Sequence, residues 1–470
     1  MNKLLKLFLV LLACWPLAGT PQAVSPLTLE EVLDAALRAF PGLLAAEQRK
    51  EAAAGDYQTA QGGFDTLLKI QNRWSVRGVY ENQNYDVNLE QPTVFGGTTF
   101  FGGWRRGTGD YPVYEGKSLT AEDGEVRIGV TIPLWRNREI DRRRASLQQA
   151  ELGQLIAGHE YDQALLEVRR LATHRYWDWV LAGQRLRIAE RLLEIAERRN
   201  EGILERVRAG DIPEFEALDN RRAIIERRER KVAAQRLVEQ SAIQLSLYLR
   251  GTDGEPLLPS GNELPSAFPE QEPSVNVNFD ETVQTAHRQR PELKRIGLQS
   301  RQTEIERDLQ NDQKSPGIDL SVVGAQDIGQ SPDKTNRDEL YVGLNFDIPL
   351  QRRIAGGRAQ AVAANLQRLK WERRLLEDRI AAEVKDVLSA IAAARQRLAL
   401  GKDQQRAAGQ LEEGEQSRFD LGDSTLLIVN LREMAHGDAA LAAAEAAGVL
   451  FKAHADYQAV LGNEIAHPAN

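Results

Sequence analysis

The stretch "VTIPLWRNREIDRRRA", residues 130–145, joins a run of alternating apolar residues to a long helix-forming one. It has an echo, "FDIPLQRRIAGGRAQA" at 346–361, in which the Ile-Pro-Leu tripeptides superpose. Two more landmarks recur around it. "LEEVLDAALRAFPGL" (29–43) matches "FDETVQTAHRQRPEL" (279–293), placing Ala36 on Ala286 and Pro41 on Pro291. Gly210-Asp211 in "RVRAGDIPEF" falls on Gly422-Asp423 in "RFDLGDSTLL". Three landmarks in one order, at offsets of 250, 216 and 212, read as an internal duplication. The first repeat spans 24–250 and the second 279–462, with a tail at 463–470. Between them, 251–278 is rich in Pro, Gly and Ser and reads as a linker.

Each repeat reads as short helix, strand pair, very long helix, turn and shorter helix. In "LLKIQNRWSVRGVY" (67–80), Leu68, Ile70, Trp74, Val76 and Tyr80 share one face, and Lys69, Gln71, Arg73, Ser75 and Arg77 the other. "EVRIGVTIPL" (125–134) alternates likewise, as do Ile318, Leu320 and Val322 and then Leu340 to Leu350 in the second repeat. Four segments of this length, apolar on one face only, match strands that cross a bilayer in a tilted barrel. A strand pair on a soluble core uses the same alternation, but the chain has no globular pattern to supply that core. Four strands do not close a barrel, whose smallest membrane form has ~8. Open edges are not tolerated in lipid, so strands must be pooled between copies: two copies give eight and three give twelve. The stretch 84–117, rich in Gly and aromatics, is extra to the first repeat. It is expected at the barrel mouth, with Tyr85, Phe95, Phe100, Phe101, Trp104 and Tyr111 forming interfacial contacts or a lid.

From about 138 to 208, and again from about 355 to 420, no proline interrupts the helical pattern. About 70 residues at ~1.5 Å each give a rod on the order of 100 Å. Apolar positions such as Leu165, Val168, Ala172, Tyr176, Trp179, Leu186 and Leu193 recur at close to the 3.5-residue spacing of coiled coils. The returning helices, about 214–249 and 425–461, are half as long, and helices at about 42–64 and 292–313 fill the remainder. Gly210 and Gly422 end the long helices. Asp211, Pro213, and Ser424 or Thr425 suit the restart as cap or first-turn residues.

Bulk properties narrow the class. The 470 residues are 27% charged and 6% aromatic with a net charge of −8, which argues against nucleic acid as a partner. "MNKLLKLFLVLLACWPLAG" reads as a secretory signal peptide, with 1–23 removed if the cut follows Ala23. Alternatively "LLAC" acts as a lipobox and Cys14, the only cysteine, is the lipidation site. No later run is apolar enough for a membrane helix. No catalytic, cofactor-binding or metal-binding constellation is present: the six His are scattered, and "GGWRRGTG" lacks the Lys-Ser/Thr of a phosphate loop.

These features together resemble the TolC family of outer-membrane efflux and secretion channels, over nearly the whole mature chain. The duplicated strand–Ile-Pro-Leu–helix joint and the duplicated Gly-containing turns carry the resemblance. It implies an α+β membrane protein that is a homotrimer in outer-membrane lipid, with a shared 12-stranded barrel and a 12-helix periplasmic tunnel. It implies a passive exit duct, not an enzyme, of a tripartite efflux or type I secretion system. Its partners would be a periplasmic membrane-fusion (adaptor) protein and an inner-membrane pump of RND or ABC type. Gly210, Asp211, Ile212, Gly422, Asp423 and Ser424 would then be the adaptor-docking turns. Asp211, Asp219, Asp423, Ile428 and Leu431 are the candidates for the periplasmic entrance; Ile428 and Leu431 stand where the family has acidic gate residues. The competing reading is a periplasmic coiled-coil scaffold or adaptor protein, lipid-anchored through Cys14.

Overall fold

A computed structural model describes residues 25–112, 119–330 and 338–462. The expected signal peptide with Cys14, and the tail 463–470, lie outside the described residues.

The duplication is plain in the element lengths. In the first half, α1 (Leu29–Ala39) and α2 (Pro41–Gln61) precede the strands, and α3 (Arg142–Ala209) and α4 (Glu214–Ser246) follow them. In the second, α5 (Phe279–Gln289), α6 (Pro291–Asp312), α7 (Arg353–Asp420) and α8 (Leu426–Leu461) repeat the order. The two long helices each have 68 residues, and the two short leading helices 11 each. The aligned prolines act alike. Pro41 and Pro291 open α2 and α6, and the residues before them, Phe40 and Arg290, are extended as the proline ring requires.

The residues cluster into two compact units, each drawing on both halves. The first holds, of the described residues, 25–40, 168–275 and 389–456. Its core joins Val32 and Ala36 of α1, Val168 to Val180 of α3, Ala242 and Leu245 of α4, and Phe451 of α8. Residues 251–275 of the linker have no long helix or strand, yet they are bound to this unit. Leu264 and Phe268 pack on the core, and Gln184 and Arg187 donate to the Ser266 carbonyl.

The second unit holds the described residues of 41–167 and 276–388, together with 457–462. It contains six antiparallel strands in sequence order, where four were expected. They are β1 (Leu67–Ser75), β2 (Asn82–Pro92), β3 (Thr99–Gly109), β4 (Glu125–Pro133), β5 (Gly317–Asp327) and β6 (Glu339–Asp347). Two corrections follow. β1 is shorter than expected, so Val76 and Tyr80 lie in the turn after it. The 84–117 segment is not a mouth loop: most of it is β2 and β3, inserted between β1 and β4, while 113–118 lies outside the described residues.

The register gives the sheet two unlike faces. Leu68, Leu89, Ile128 and Leu340 fall in one row, and Ile70, Val87, Trp104 and Val126 in the next. Most of this apolar face is exposed, with Ile128 and Leu340 each 72% accessible. The other face carries ion pairs between strands: Lys69–Glu90 at 2.6 Å, Arg105–Glu125, and Arg127–Asp86. Gly103 explains the last of these. It stands opposite both Asn88 and Arg127, and without a side chain it lets Arg127 of β4 reach across β3 to Asp86 of β2. A β-carbon there would collide with the Asn88 side chain and the Val87 carbonyl.

An apolar sheet face open to the surroundings is a lipid-facing wall or an unmet interface. Ile128→Arg separates the two. A cation in lipid costs about 2–4 kcal/mol at the bilayer midplane, so the folded, membrane-inserted fraction should drop sharply, whereas Arg127→Lys should insert normally. Heat-modifiability on gels of outer-membrane extracts reads that fraction.

Candidate functional site

The site is built on two turns that close in the same way. At the end of α3, Gly210 takes φ +80°, its N–H donates to the Val207 carbonyl at 3.1 Å, and the Asp211 N–H donates to Arg206 at 2.9 Å. At the end of α7, Gly422 takes φ +86°, its N–H donates to Phe419 at 3.0 Å, and Asp423 N–H donates to Arg418 at 2.8 Å. Both are Schellman closures, in which a left-handed residue lets two N–H groups satisfy the last helical carbonyls. No atom lies within 4 Å of a β-carbon built on either glycine, so the demand is on φ and not on space. Gly422→Ala should therefore cost about 1 kcal/mol, and Gly422→Asn less, measured by thermal unfolding.

The backbone work of Asp211 and Asp423 leaves their carboxylates exposed, with no hydrogen bond or ion pair to another side chain among the described residues. Neither side chain caps the following helix; Pro213 stands at the cap position of α4 without a side-chain bond. Ile212 is half-buried. Ser424 donates from its hydroxyl to Glu415 Oε1 at 2.6 Å, tying the second turn back onto α7. Arg206 lies over the Phe419 ring, 5.8 Å from its centre, and links the ends of α3 and α7. Asp219 pairs with Arg222 at 3.2 Å, so its charge is partly met. Ile428 is 38% accessible and Leu431 64%. Leu421, Leu427, Phe215 and Leu218 are exposed beside them, giving the turns an apolar surround.

Behind the turns lies a buried charged cluster that sequence reasoning missed. Glu433 of α8, 1% exposed, meets Arg199 of α3 and accepts from Arg227 Nη2 of α4 at 2.7 Å. Asn430 Oδ1 accepts from Arg199 at 2.9 Å and from Arg227 at 3.2 Å, and Arg227 also donates to the Leu192 carbonyl at 2.8 Å. Burial pushes the Arg199 guanidinium down to about 10, and the adjacent Arg227 cation adds to this. Burial lowers Arg227 as well. Next to them, Glu412 of α7 contacts His436 of α8. A groove of about 660 Å³ opens above the cluster between α3 and α7, lined by Ile195, Ile203, Arg206, Glu412 and Phe419 among others. A periodicity signal for the cluster existed. Arg227 follows Asn220, Ala223 and Ile224 at heptad spacing, and Glu433 follows Leu426 and Val429.

Among the described residues, no group of three or more His, Cys, Asp or Glu is placed to hold a metal, and no helix is long and apolar enough to cross a membrane.

No protein-family model matches the chain, and no curated protein does. Solved structures do. The open-state MtrE outer-membrane channel of Neisseria gonorrhoeae matches with a TM-score of 0.66 at 16% identity, covering 92% of this chain and 88% of its own. The chain has the fold of the TolC-type outer-membrane channels. The CmeC channel of Campylobacter jejuni matches over 95% of this chain and 90% of its own, with a TM-score of 0.64 at 14% identity. VceC of Vibrio cholerae matches over 92% and 96%, with a TM-score of 0.64 at 15% identity. At such identities the likeness speaks for the channel fold, with duplicated helices and an antiparallel sheet, and not for cargo or partners. It also accounts for the order of elements on both sides of the Ile-Pro-Leu joints.

Proposed function

We propose that this chain is an outer-membrane exit channel that conducts substrates passively, its strands in the lipid and its helices in the periplasm. The observation that carries the reading is the sheet. A chain with a net charge of −8 and 27% charged residues nevertheless keeps one face of six strands apolar and open. A homotrimer would close the wall. In this reading a periplasmic adaptor protein docks on Gly210, Asp211, Ile212, Gly422, Asp423 and Ser424, of which the glycines and aspartates are exposed and Ile212 and Ser424 half-buried, beside exposed apolar side chains. An inner-membrane pump of RND or ABC type would deliver the cargo, for efflux or for secretion.

Density-gradient fractionation of the cell envelope tests this. The protein should travel with outer-membrane markers and leave the membrane only with detergent. Recovery in the soluble periplasm, or release by salt alone, would replace the channel with a periplasmic scaffold.

The unpaired carboxylates at the turns give the entrance its expected charge preference. Asp211 and Asp423 from three copies place six acidic groups near the opening, a field that favours cations. Asp211→Asn combined with Asp423→Asn should bring the cation-to-anion permeability ratio several-fold closer to unity, read as zero-current potential across a salt gradient. Asp219→Asn should change it less, because Arg222 already offsets that charge.

A further inference from the structure

A channel wall must be closed, yet the six-stranded sheet ends in two open edges, β1 and β6. We propose that all six strands of each copy enter the wall, with the β1 edge of one copy paired to the β6 edge of the next. Three copies then enclose eighteen strands instead of the twelve that a four-stranded contribution would give. The inference rests on the channel reading and concerns what its wall is made of.

The β2–β3 hairpin is part of the sheet and does not lie on it. β1 pairs with β2 along all nine of its residues, and β4 reaches β1 only through β3 and β2. The hairpin keeps the two-faced pattern of its neighbours. Val87, Leu89, Phe100 and Trp104 continue the apolar face, while Asp86 and Arg105 make the ion pairs of the polar one. Its own turn, 93–98, is short, closed by Thr93 N–H on the Thr98 carbonyl at 2.9 Å, and lies at the strand ends that lead to the helices. The ends of β3 and β4 at Gly109 and Glu125, separated by more residues, lie at the opposite end. Short turns on the periplasmic side and long loops outside are the usual arrangement of membrane barrels.

The two edges fit a second copy of the same chain. Both are nine residues long. An even number of antiparallel strands makes β1 and β6 run in opposite directions, so β6 of the next copy meets β1 antiparallel. Aligned end to end, Lys69 meets Asn345 and Arg73 meets Tyr341, and every pair falls on matching faces. The polar face of the β1 edge carries Lys69 and Arg73, Lys69 already met by Glu90 of its own copy, and that of the β6 edge carries Glu339 and Asp347, the latter already met by Arg136, so the edges bring no like charges opposite each other. Six strands cannot close alone, since the smallest membrane barrels have ~8. Unpaired edge groups in lipid are not tolerated. A wall of this strand number leaves an aqueous lumen, lined here by the ion-paired face.

Single-cysteine variants labelled with an environment-sensitive fluorophore test the wall in outer-membrane vesicles containing nitroxide lipids. The unsubstituted chain, whose only cysteine is Cys14, serves as the blank. Ile128→Cys on β4 and Leu89→Cys on β2 should be quenched to the same extent, and Asn88→Cys should not be. Quenching at Ile128 without quenching at Leu89, or equal quenching at Leu89 and Asn88, overturns the inference and leaves the channel standing. No quenching at Ile128 sinks the channel reading, and the inference with it. Electron cryomicroscopy of the unsubstituted assembly in nanodiscs then counts strands without any variant. Eighteen supports the inference, and twelve with the 82–109 hairpin outside the wall overturns it.

Discussion

Replacing Glu433 with alanine should destabilise the helical unit by about 3–5 kcal/mol, because it strands two buried cations. Arg199 and Arg227 approach this carboxylate from two different helices, and the side chains of Arg227 and Glu433 are no more than 3% exposed. Without the carboxylate, the guanidiniums keep Asn430 and the Leu192 carbonyl as hydrogen-bond acceptors among the described residues, and they repel each other at short range. Glu433→Gln keeps acceptor geometry but not charge and should cost less. The informative contrast is Arg199→Met, Arg227→Met and Glu433→Leu together. Replacing a whole buried ionic cluster with apolar side chains is often neutral or stabilising, so the triple variant should be more stable than Glu433→Ala. Urea unfolding in detergent micelles, followed by far-ultraviolet circular dichroism, measures all three. A loss below about 1 kcal/mol for Glu433→Ala would place the pair in the class of solvated ion pairs and remove its role in holding α3, α4 and α8 behind the turns.

How far the sequence reveals this molecule depends on which physical signal each element carries. The helices are legible because glycine and proline mark their ends. Gly210, Gly422, Pro41 and Pro291 fix boundaries that the structure reproduces within a few residues. β4 and β6 are legible because their alternation is apolar against polar. β2 and β3 escape the same test. "NQNYDVNLEQP" spends Asn, Gln and Asp on the polar face and beyond it, and "TFFGGWRRGTG" carries glycines that are depleted in strands. Their reason is tertiary: Gly103 clears the path between Arg127 and Asp86, and no local pattern records that. The turns were legible as turns, but the work of their residues was not. Asp211 and Asp423 look like caps in sequence, whereas they contribute backbone N–H groups to the closure and keep their carboxylates in solvent. The Arg199–Glu433–Arg227 cluster leaves only the heptad spacing of Arg227 and Glu433 as a trace, because in an arginine-rich helix one buried guanidinium looks like its solvated neighbours.

Trp179→Ala should cost about 3–5 kcal/mol, the range for emptying a buried aromatic site. Trp179 is fully buried, and its core joins four helices and the interrepeat segment. Tyr176 stands 6.5 Å from it, and Trp177, Phe268 and Phe451 stack into one aromatic group beside it. Few of these neighbours can collapse into the space. Val180, Ala172 and Ala36 are short, and the large rings are already in mutual contact. The indole N–H has no acceptor among the described residues, so part of the wild-type side chain is itself unfavourably placed. Trp179→Phe removes that donor while keeping an aromatic ring, and it should cost well under half as much as alanine. The two variants together distinguish packing from polarity. If alanine and phenylalanine cost the same, the site relaxes around either. If phenylalanine is near neutral and alanine severe, ring volume at Trp179 is what keeps in place the core on which Leu264 and Phe268 pack. Protease cleavage within 251–275 should then rise in the alanine variant alone.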